Sequence, residues 1–182
     1  MTKIVVVDYD PTWPDTFERL RAGIWPHIED VAAGIEHVGS TSVPGLAAKP
    51  VVDMTIVVPD PSAMKAVIDR LAGIGYRHRG DLGIPGREAF ERPEGTPDHH
   101  LYACAAGNDG LRNHLALRDF LRNDPEAAKE YGRLKRELAE RFADDIDGYV
   151  DGKSEFILAI LARAGFTGEQ LADIRAINRK PT

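Results

Sequence analysis

The chain has 182 residues, a length that suits one domain, or one domain with a helical extension. Hydrophobic residues make up 43% of the sequence and charged residues 29%, as in ordinary globular proteins, and no apolar run approaches the roughly 18 residues that a membrane span requires. The net charge of −6 gives no general attraction for a nucleic-acid backbone, and a single cysteine excludes a disulfide framework within the chain. We therefore expect neither a membrane partner nor a nucleic-acid partner, and the oligomeric state stays open.

The N-terminal segment, MTKIVVVDYD, predicts a β-strand at residues 4–7 rather than a signal peptide, because its apolar run meets Asp8 at once. Without a signal peptide, and with one cysteine, the chain is expected in the cytoplasm. Asp10 and Pro11 then predict the start of a helix with a regular apolar face, which Pro26 is expected to kink or divide.

The rest of the chain changes from strands to helices about two-thirds of the way along. Three segments are predicted first: a strand at residues 35–38, the buried strand VVDMTIVV at residues 51–58, and a helix at residues 61–73. Three strand candidates separated by turns come next, YRHR, REAFER and HHLYACAA. Helices are then predicted from residue 111 onward, with a cap at residues 124–125 and further helices at residues 155–164 and 168–177.

This order of elements predicts an α/β (α+β) fold in which helices flank a mixed β-sheet. Residues 1–109 form the predicted α/β core, and residues 110–182 form a predicted C-terminal helical part. Because no linker rich in Pro, Gly or Ser separates the two parts, we expect one domain over residues 1–182.

The most informative stretch is a loop of small residues between two predicted strands. Gly39 allows a ligand to approach the backbone closely, and Ser40, Thr41 and Ser42 supply hydroxyls and amides, which together suit a phosphate. The strand that follows carries Asp53, a carboxylate that is costly to bury unless a cation pairs with it. The sequence therefore predicts a phosphate site beside a possible ligand for a divalent ion such as Mg²⁺.

Several sequence blocks resemble the GrpB family of the nucleotidyltransferase superfamily. They cover nearly the whole chain, in order: EHVGSTSVPGLAAKPVVDMTIVV, GIPGREAF, HHLYA, HLALRDFLRNDPEAAKEYGRLKREL and YVDGKSEFI. The resemblance implies a nucleotidyltransferase-like mixed sheet flanked by helices, with the Gly-Ser loop facing nucleotide phosphates. Domains of this family also occur joined to dephospho-coenzyme A kinase, which implies a nucleotide or a nucleotide-containing coenzyme as the partner.

The sequence departs from the superfamily pattern at the metal-binding carboxylates. Active nucleotidyltransferases place two carboxylates two residues apart on one strand face, whereas this chain reads Asp53, Met54, Thr55. On the HHLYA strand, where a third carboxylate is usual, His100 and Tyr102 share a face, and the family often has a histidine where Tyr102 stands. Asp53 either binds the ion or accepts hydrogen bonds that shape the loop, and His100 is either a catalytic or ligand histidine or a core histidine.

Three cations complete the candidate site, each with an ordinary alternative. Lys49 contacts a phosphate or is simply solvated at the strand entrance. Arg87 forms a fork to a phosphate, or a salt bridge to Asp81 or Glu88. Lys153 covers the ligand pocket or lies on the surface.

These residues lead to three hypotheses of different classes. The first is a metal-dependent nucleotidyltransferase or related phosphoryl transferase that acts on a small-molecule acceptor, with Asp53 and His100 catalytic and Asp53 holding Mg²⁺. The alternative, favoured by Thr55, is a catalytically degenerate nucleotide- or coenzyme-binding regulatory module. The third is a protein interaction domain that uses its acidic helical end.

Overall fold

A computed structural model describes residues 3–178, and within them five strands form one mixed sheet in the order β1-β2-β5-β4-β3. The strands are β1 Gly34–Val38, β2 Val52–Val58, β3 Arg77–His78, β4 Arg87–Glu91 and β5 His99–Ala105. The helices of the same residues are α1 Trp13–Ile24, α2 Met64–Gly73, α3 Asp109–Asn123, α4 Pro125–Arg141, α5 Ile146–Arg163 and α6 Gly168–Asn178. The predicted mixed α/β fold is confirmed.

Strand β2 lies inside the sheet, with a paired strand on each side, and is apolar on one face. It pairs antiparallel with β1 and parallel with β5. Met54, Ile56 and Val58 are fully buried on one face, where they pack with apolar residues of α1 and α2. Because side chains alternate along a strand, Asp53 and Thr55 lie on the opposite face, toward the C-terminal helices.

The C-terminal helices pack onto the loop that joins β1 and β2. Val43 and Leu46 of that loop share an apolar cluster with Leu121, Tyr131 and Ile160, which belong to α3, α4 and α5. The sheet face that bears Asp53 is therefore covered by helices that also fix the loop. This packing is compatible with the predicted single domain over residues 1–182. The predicted division into a core and a helical part at residue 109 stays a prediction. Residues 1–2 and 179–182 lie outside the described range.

Two of the predicted element positions are wrong. Residues 4–7 do not form a sheet strand; Val7 makes an isolated bridge to Ala48, and the Ile4 amide donates to the carbonyl of Ala143 at 2.8 Å. The segment lies there because Ile4 and Val6 pack against an apolar cluster of α4 and α5. Helix α5 begins nine residues before the predicted residue 155, at Ile146, where the Asp145 side chain caps it.

The remaining differences are small, and the YRHR segment contributes only the two-residue strand β3. Helix α1 begins at Trp13, and the chain continues from its end as a short 3-10 helix, Trp25–His27, at the predicted proline. Asp124 caps α4 as predicted, since its side chain accepts from the Ala127 amide. Across residues 3–178, no helix combines the length and apolar character that crossing a bilayer demands.

Candidate functional site

The loop after β1 is a tight turn whose hydroxyls are mostly used within the protein. Gly39 has a φ of +70°, and residues Ser40–Ser42 form one turn of 3-10 helix. The Ser42 hydroxyl donates to the Gly39 carbonyl at 2.6 Å, and Thr41 Oγ1 lies 3.0 Å from Nε2 of His37. Thr41 and Ser42 are both buried. Their predicted contact with phosphate is therefore not supported by their placement, whereas Gly39 and Ser40 stay accessible to a ligand.

Asp53 contacts both the loop and strand β5. A Cβ atom placed on Gly39 would overlap Oδ2 of Asp53, so only glycine leaves room for this carboxylate. Asp53 pairs in register with His100, and Nδ1 of His100 lies 2.8 Å from Oδ1 of Asp53. Within residues 3–178 the hydrogen-bond partner of Asp53 is thus an imidazole and not an amide of the loop.

The two adjacent histidines of β5 face opposite sides of the sheet. His99 is buried, and its Nε2 lies 2.8 Å from the hydroxyl of Tyr76. His100 shares the face of Asp53 and keeps half of its side chain exposed. Alternation along the strand had predicted that His100, rather than His99, faces the candidate site. His99 is the histidine that is buried in the core.

Arg87 stacks on an aromatic ring instead of forming a predicted salt bridge. Its guanidinium lies 4.3 Å from the ring centre of Tyr102, on the same sheet face as His100. Glu88 pairs with His78, and Arg87 donates to the backbone carbonyl of Asp81 at 3.5 Å instead of to its carboxylate. The Nε atom of Arg87 is buried without a hydrogen-bond partner among the described residues.

A cavity of about 690 Å³ lies between the loop, strand β2 and helices α3, α5 and α6. Its size is within the range of ordinary small-molecule sites. What we call the polar wall consists of Gly39, Ser40, Asp53, His114 and Lys153. What we call the apolar wall consists of Leu117, Ile157, Leu161, Phe166 and Ile174, which also pack with one another.

The structure brings together only part of the predicted site at this cavity. Gly39, Ser40, Asp53 and Lys153 line it. The other predicted residues, all placed within residues 3–178, lie outside its lining: Thr41, Ser42, Lys49, Arg87 and His100. Among these, His100 still reaches the cavity's chemistry through its hydrogen bond to Asp53.

Sequence reasoning missed His114 on α3. It lines the cavity with Asp53, and burial lowers the pKa of its imidazole, an effect that the charge of Asp53 opposes and that of Arg87 reinforces. His114 is therefore a neutral imidazole at neutral pH. Its position gave no clear signal, because the residues of α3 that line the cavity also include the polar Asn113 and Arg118.

Two lysines with lowered pKa values lie at the polar wall or near it, the partly buried Lys153 and the buried Lys135. Lys153 stacks over Tyr149 at 4.4 Å, and burial, reinforced by the charge of Lys49, lowers its pKa to about 8. Lys135, which the sequence did not single out, is 2% exposed, and burial lowers its pKa to about 7. Asp53 opposes both shifts. The other charges that act on these two lysines are mostly positive, since Lys49 acts on Lys153 and Arg136 acts on Lys135.

The side chains around Asp53 do not fit the two-ion site typical of active nucleotidyltransferases. Within residues 3–178, no three side chains of the His, Cys, Asp or Glu type lie close enough to share a metal ion. The hydroxyl of Thr55 is buried there without a hydrogen-bond partner in the described chain. Glu36, which is opposite Thr55 on β1, is held by Arg118 at 2.7 Å. At most, Asp53 is one protein ligand for a single ion that takes its other oxygens from phosphates and water.

The sheet order, the Gly39-Ser40 loop and the carboxylate on the next strand define the class of protein: the fold is nucleotidyltransferase-like. The Cid1 poly(U) polymerase with Mg 3′-dATP bound matches with a TM-score of 0.57 over 84% of this chain and 49% of that chain. At 11% sequence identity, this likeness is one of fold alone.

The chain belongs to the GrpB family, whose sequence pattern, described as GrpB protein, matches residues 3–163. The crystal structure of conserved protein GrpB from Enterococcus faecalis has a TM-score of 0.79 and 33% identity, and the match covers 88% of this chain and 96% of that chain. The predicted family is thus confirmed, and α6 lies beyond the matched residues.

The curated relatives differ in how much of their length this chain covers. The UPF0157 protein SCO7215 of Streptomyces coelicolor is 37% identical over 90% of this chain and 85% of its own length. The UPF0157 protein YqkA of Bacillus subtilis is also 37% identical over 85% of this chain, which spans only 45% of that protein. A dephospho-CoA kinase of Mycolicibacterium paratuberculosis is 29% identical over 87% of this chain and 45% of its own length.

Proposed function

We propose that this chain is a cytoplasmic module that binds a nucleotide or a nucleotide-containing coenzyme, and that it lacks the two-ion catalytic centre of its fold class. The observation that carries the proposal is position 55, where a buried threonine hydroxyl without a partner in the described residues replaces the second carboxylate. A binding site needs the loop and the cations, whereas two-ion chemistry needs the missing carboxylate as well.

The loop and the cavity supply the contacts that such a ligand needs. Gly39 and Ser40 present backbone and hydroxyl groups to the cavity, and Lys153 presents a charge to the same space. The apolar wall offers a surface for a base or another uncharged group. The similarity to a dephospho-CoA kinase supports a coenzyme as one kind of ligand.

A metal-dependent nucleotidyltransferase or related phosphoryl transferase with a small-molecule acceptor is the second candidate. It is favoured by Asp53, which lines the cavity beside Ser40. In this candidate Asp53 orients His100 through Nδ1, so that the exposed imidazole can accept a proton from the hydroxyl of the acceptor. A single Mg²⁺ at Asp53 would supply charge neutralisation of the phosphates.

Isothermal titration calorimetry with ATP, GTP, CTP and dephospho-coenzyme A, each in EDTA and in Mg²⁺, tests these candidates. We expect at least one probe to bind with a dissociation constant on the order of 1–100 μM. Asp53→Asn separates the two candidates. For a binding module, it keeps or strengthens binding in EDTA because it removes a negative charge near the phosphates; for the transferase, it abolishes the Mg²⁺-dependent part of the binding.

The matched control for this variant is Asp69→Asn, an exposed residue of α2 on the other side of the sheet. We expect it to bind all four probes as the wild type does. If no probe binds the wild type with or without Mg²⁺, the proposed function is wrong, and a protein interaction domain becomes the better hypothesis. Unfolding of Asp53→Asn, seen by circular dichroism, would instead assign Asp53 a bracing role in the loop.

A further inference from the structure

The least explained feature of the cavity is a set of three lysines near Asp53: Lys49, Lys135 and Lys153. Lys153 lines the cavity itself. Lys49 and Lys135 are close enough for their charges to act on Lys153 or to be acted on by it. Asp53 is the carboxylate whose charge opposes the lowered pKa of both Lys153 and Lys135. The charged groups that act on Lys153 and Lys135 are therefore mostly positive, while Asp109 and Asp173 also line the cavity.

Lys135 shows most clearly that a negative charge is missing. Its Nζ is buried without a hydrogen-bond partner in the described part of the chain, although an ammonium carries three donors. The same atom lies 4.6 Å from the ring centre of Tyr131, and Tyr131 lines the cavity. Burying an ammonium costs free energy unless an anion accompanies it. An anion bound in the cavity would therefore lower the cost of protonating Lys135.

Lys153 lines the same cavity as Asp53, the carboxylate expected to hold a divalent ion. A divalent ion needs carboxylates around it, and Thr55 removes one of them. The neighbouring lysines would repel such an ion, because like charges at short range are unfavourable in a partly buried site. The same lysines attract phosphates, and a lysine ammonium is a common phosphate ligand in proteins.

We infer that Lys153, supported by Lys135 and Lys49, takes the place of the divalent ions, so that the cleft binds the phosphate chain of its ligand without metal. This inference rests on the proposed function and names the kind of ligand more narrowly. The ligand carries at least a phosphate or pyrophosphate group, which lies between Gly39, Ser40 and Lys153. Its uncharged part lies against the apolar wall.

Binding is then coupled to proton uptake. Charged or titratable groups act on Lys153 and Lys135 or contact them: Lys49, Asp53, Tyr131, Arg136 and Tyr149. Four more line the same cavity as Lys153: Asp109, His114, Arg118 and Asp173. Burial raises the pKa of Tyr149 to about 12 and that of Tyr131 further still, and it lowers that of His114, so these three groups stay neutral at pH 8. An anion beside Lys153 and Lys135 raises their pKa values, so both take up protons when it binds.

The test uses calorimetric titration of the full chain with ATP and with inorganic pyrophosphate in EDTA. We expect both probes to bind, and Lys153→Met to weaken binding about 10-fold or more, as loss of a buried charge contact does. At pH 8, ATP titrations in buffers of different ionisation enthalpy should reveal proton uptake, up to roughly 1.4 protons per ligand if both lysines become fully protonated. Lys153→Met should reduce that uptake, which a purely structural lysine would not contribute.

The control is Lys129→Met, an exposed lysine of α4, which should bind as the wild type does. The inference is overturned if EDTA abolishes binding and Mg²⁺ restores it, if Lys153→Met binds normally, or if the wild type takes up no proton. If Lys153→Met fails to fold, the wild-type measurements in EDTA and of proton uptake still decide the question. Failure of every probe with and without Mg²⁺ would instead reject the proposed function itself.

Discussion

At the scale of single residues, Gly39 and Asp53 depend on each other. Gly39 has a φ of +70°, a backbone conformation that residues other than glycine rarely adopt. The carboxylate of Asp53 occupies the space where a Cβ atom of any other residue would lie. The pair explains why the loop and strand β2 meet at the cavity. It also makes Gly39 more than a flexible point in a turn.

We expect Gly39→Ala to destabilise the protein by about 2–4 kcal/mol, because it combines a strained backbone with displacement of the Asp53 side chain. Urea unfolding followed by circular dichroism measures this. Gly34→Ala is the matched control, since a Cβ on Gly34 meets no heavy atom within 4 Å and its φ is not left-handed. Equal stabilities of the two variants would contradict the contact with Asp53.

Lys135 leads to a prediction about pH. Its pKa of about 7 in the folded chain lies below its ordinary value of 10.5, so between these values the unfolded chain binds a proton that the folded chain has released. Stability therefore rises with pH through this window, and the full penalty applies below pH 7. At about 1.4 kcal/mol per pKa unit, the penalty is at most roughly 5 kcal/mol.

We therefore expect Lys135→Met to be more stable than the wild type at pH 6.5, by roughly 2–4 kcal/mol, with the difference shrinking toward pH 10. Urea unfolding at pH 6.5, 8 and 9.5 gives the comparison. Lys129→Met, an exposed change on the same helix, should show no such trend. A Lys135→Met variant that is less stable at pH 6.5 would mean that the ammonium is stabilised in the free protein.

The sequence predicted the strand residues of the site better than the helical ones. His100 could be chosen over His99 because strand alternation has a period of two, whereas its pairing with Asp53 depends on the register of β2 and β5. Lys135 and His114 could not be recognised, because their burial depends on how α3 and α4 pack on the loop. The inward placement of Thr41 could not be recognised either, because it depends on the contact with His37.

At the scale of elements, helix α3 holds the loop after β1 in place. Arg122 donates from Nε and Nη2 to the Ser42 carbonyl, at 3.0 and 2.8 Å. Arg118 donates to the carbonyl of His37 at 3.1 Å as well as to Glu36. A loop of small residues has few side-chain contacts of its own, so these two arginines fix its position relative to the sheet.

Arg122→Gln should destabilise the protein by about 1–2 kcal/mol, because it removes charge-assisted donors from a partly buried carbonyl. It should also raise hydrogen exchange at the amides of residues 40–43, measured by mass spectrometry. Arg133→Gln, an exposed arginine of α4, provides the control. Unchanged exchange in the loop would show that α3 does not restrain it.

The limits of element prediction follow from packing as well. Strand β2 was predictable because its apolar run is long and bounded by prolines, whereas β3 is only two residues long and has no periodicity to detect. Residues 4–7 have the composition of a strand, but their apolar side chains are used against α4 and α5. Composition alone does not distinguish these two uses of β-branched residues.

At the scale of the whole molecule, the sheet separates two kinds of environment. One face is an apolar core with α1 and α2, and it accounts for much of the buried apolar surface. The other face carries the polar groups and is covered by helices that stop short of filling the space, which leaves the cavity. The order of strands and helices in the sequence predicted this layered arrangement, but the cavity between the layers follows only from the packing of α3, α5 and α6.

The position of α6 has a consequence for how relatives diverge. The chain segment shared with the family ends at residue 163, yet Ile174 beyond it completes the apolar wall. Leu117, Ile157 and Leu161 of the apolar wall lie within the matched residues, whereas Phe166 and Ile174 lie beyond them. Substitutions in the last helix can therefore reshape one end of the apolar wall and leave the polar wall unchanged.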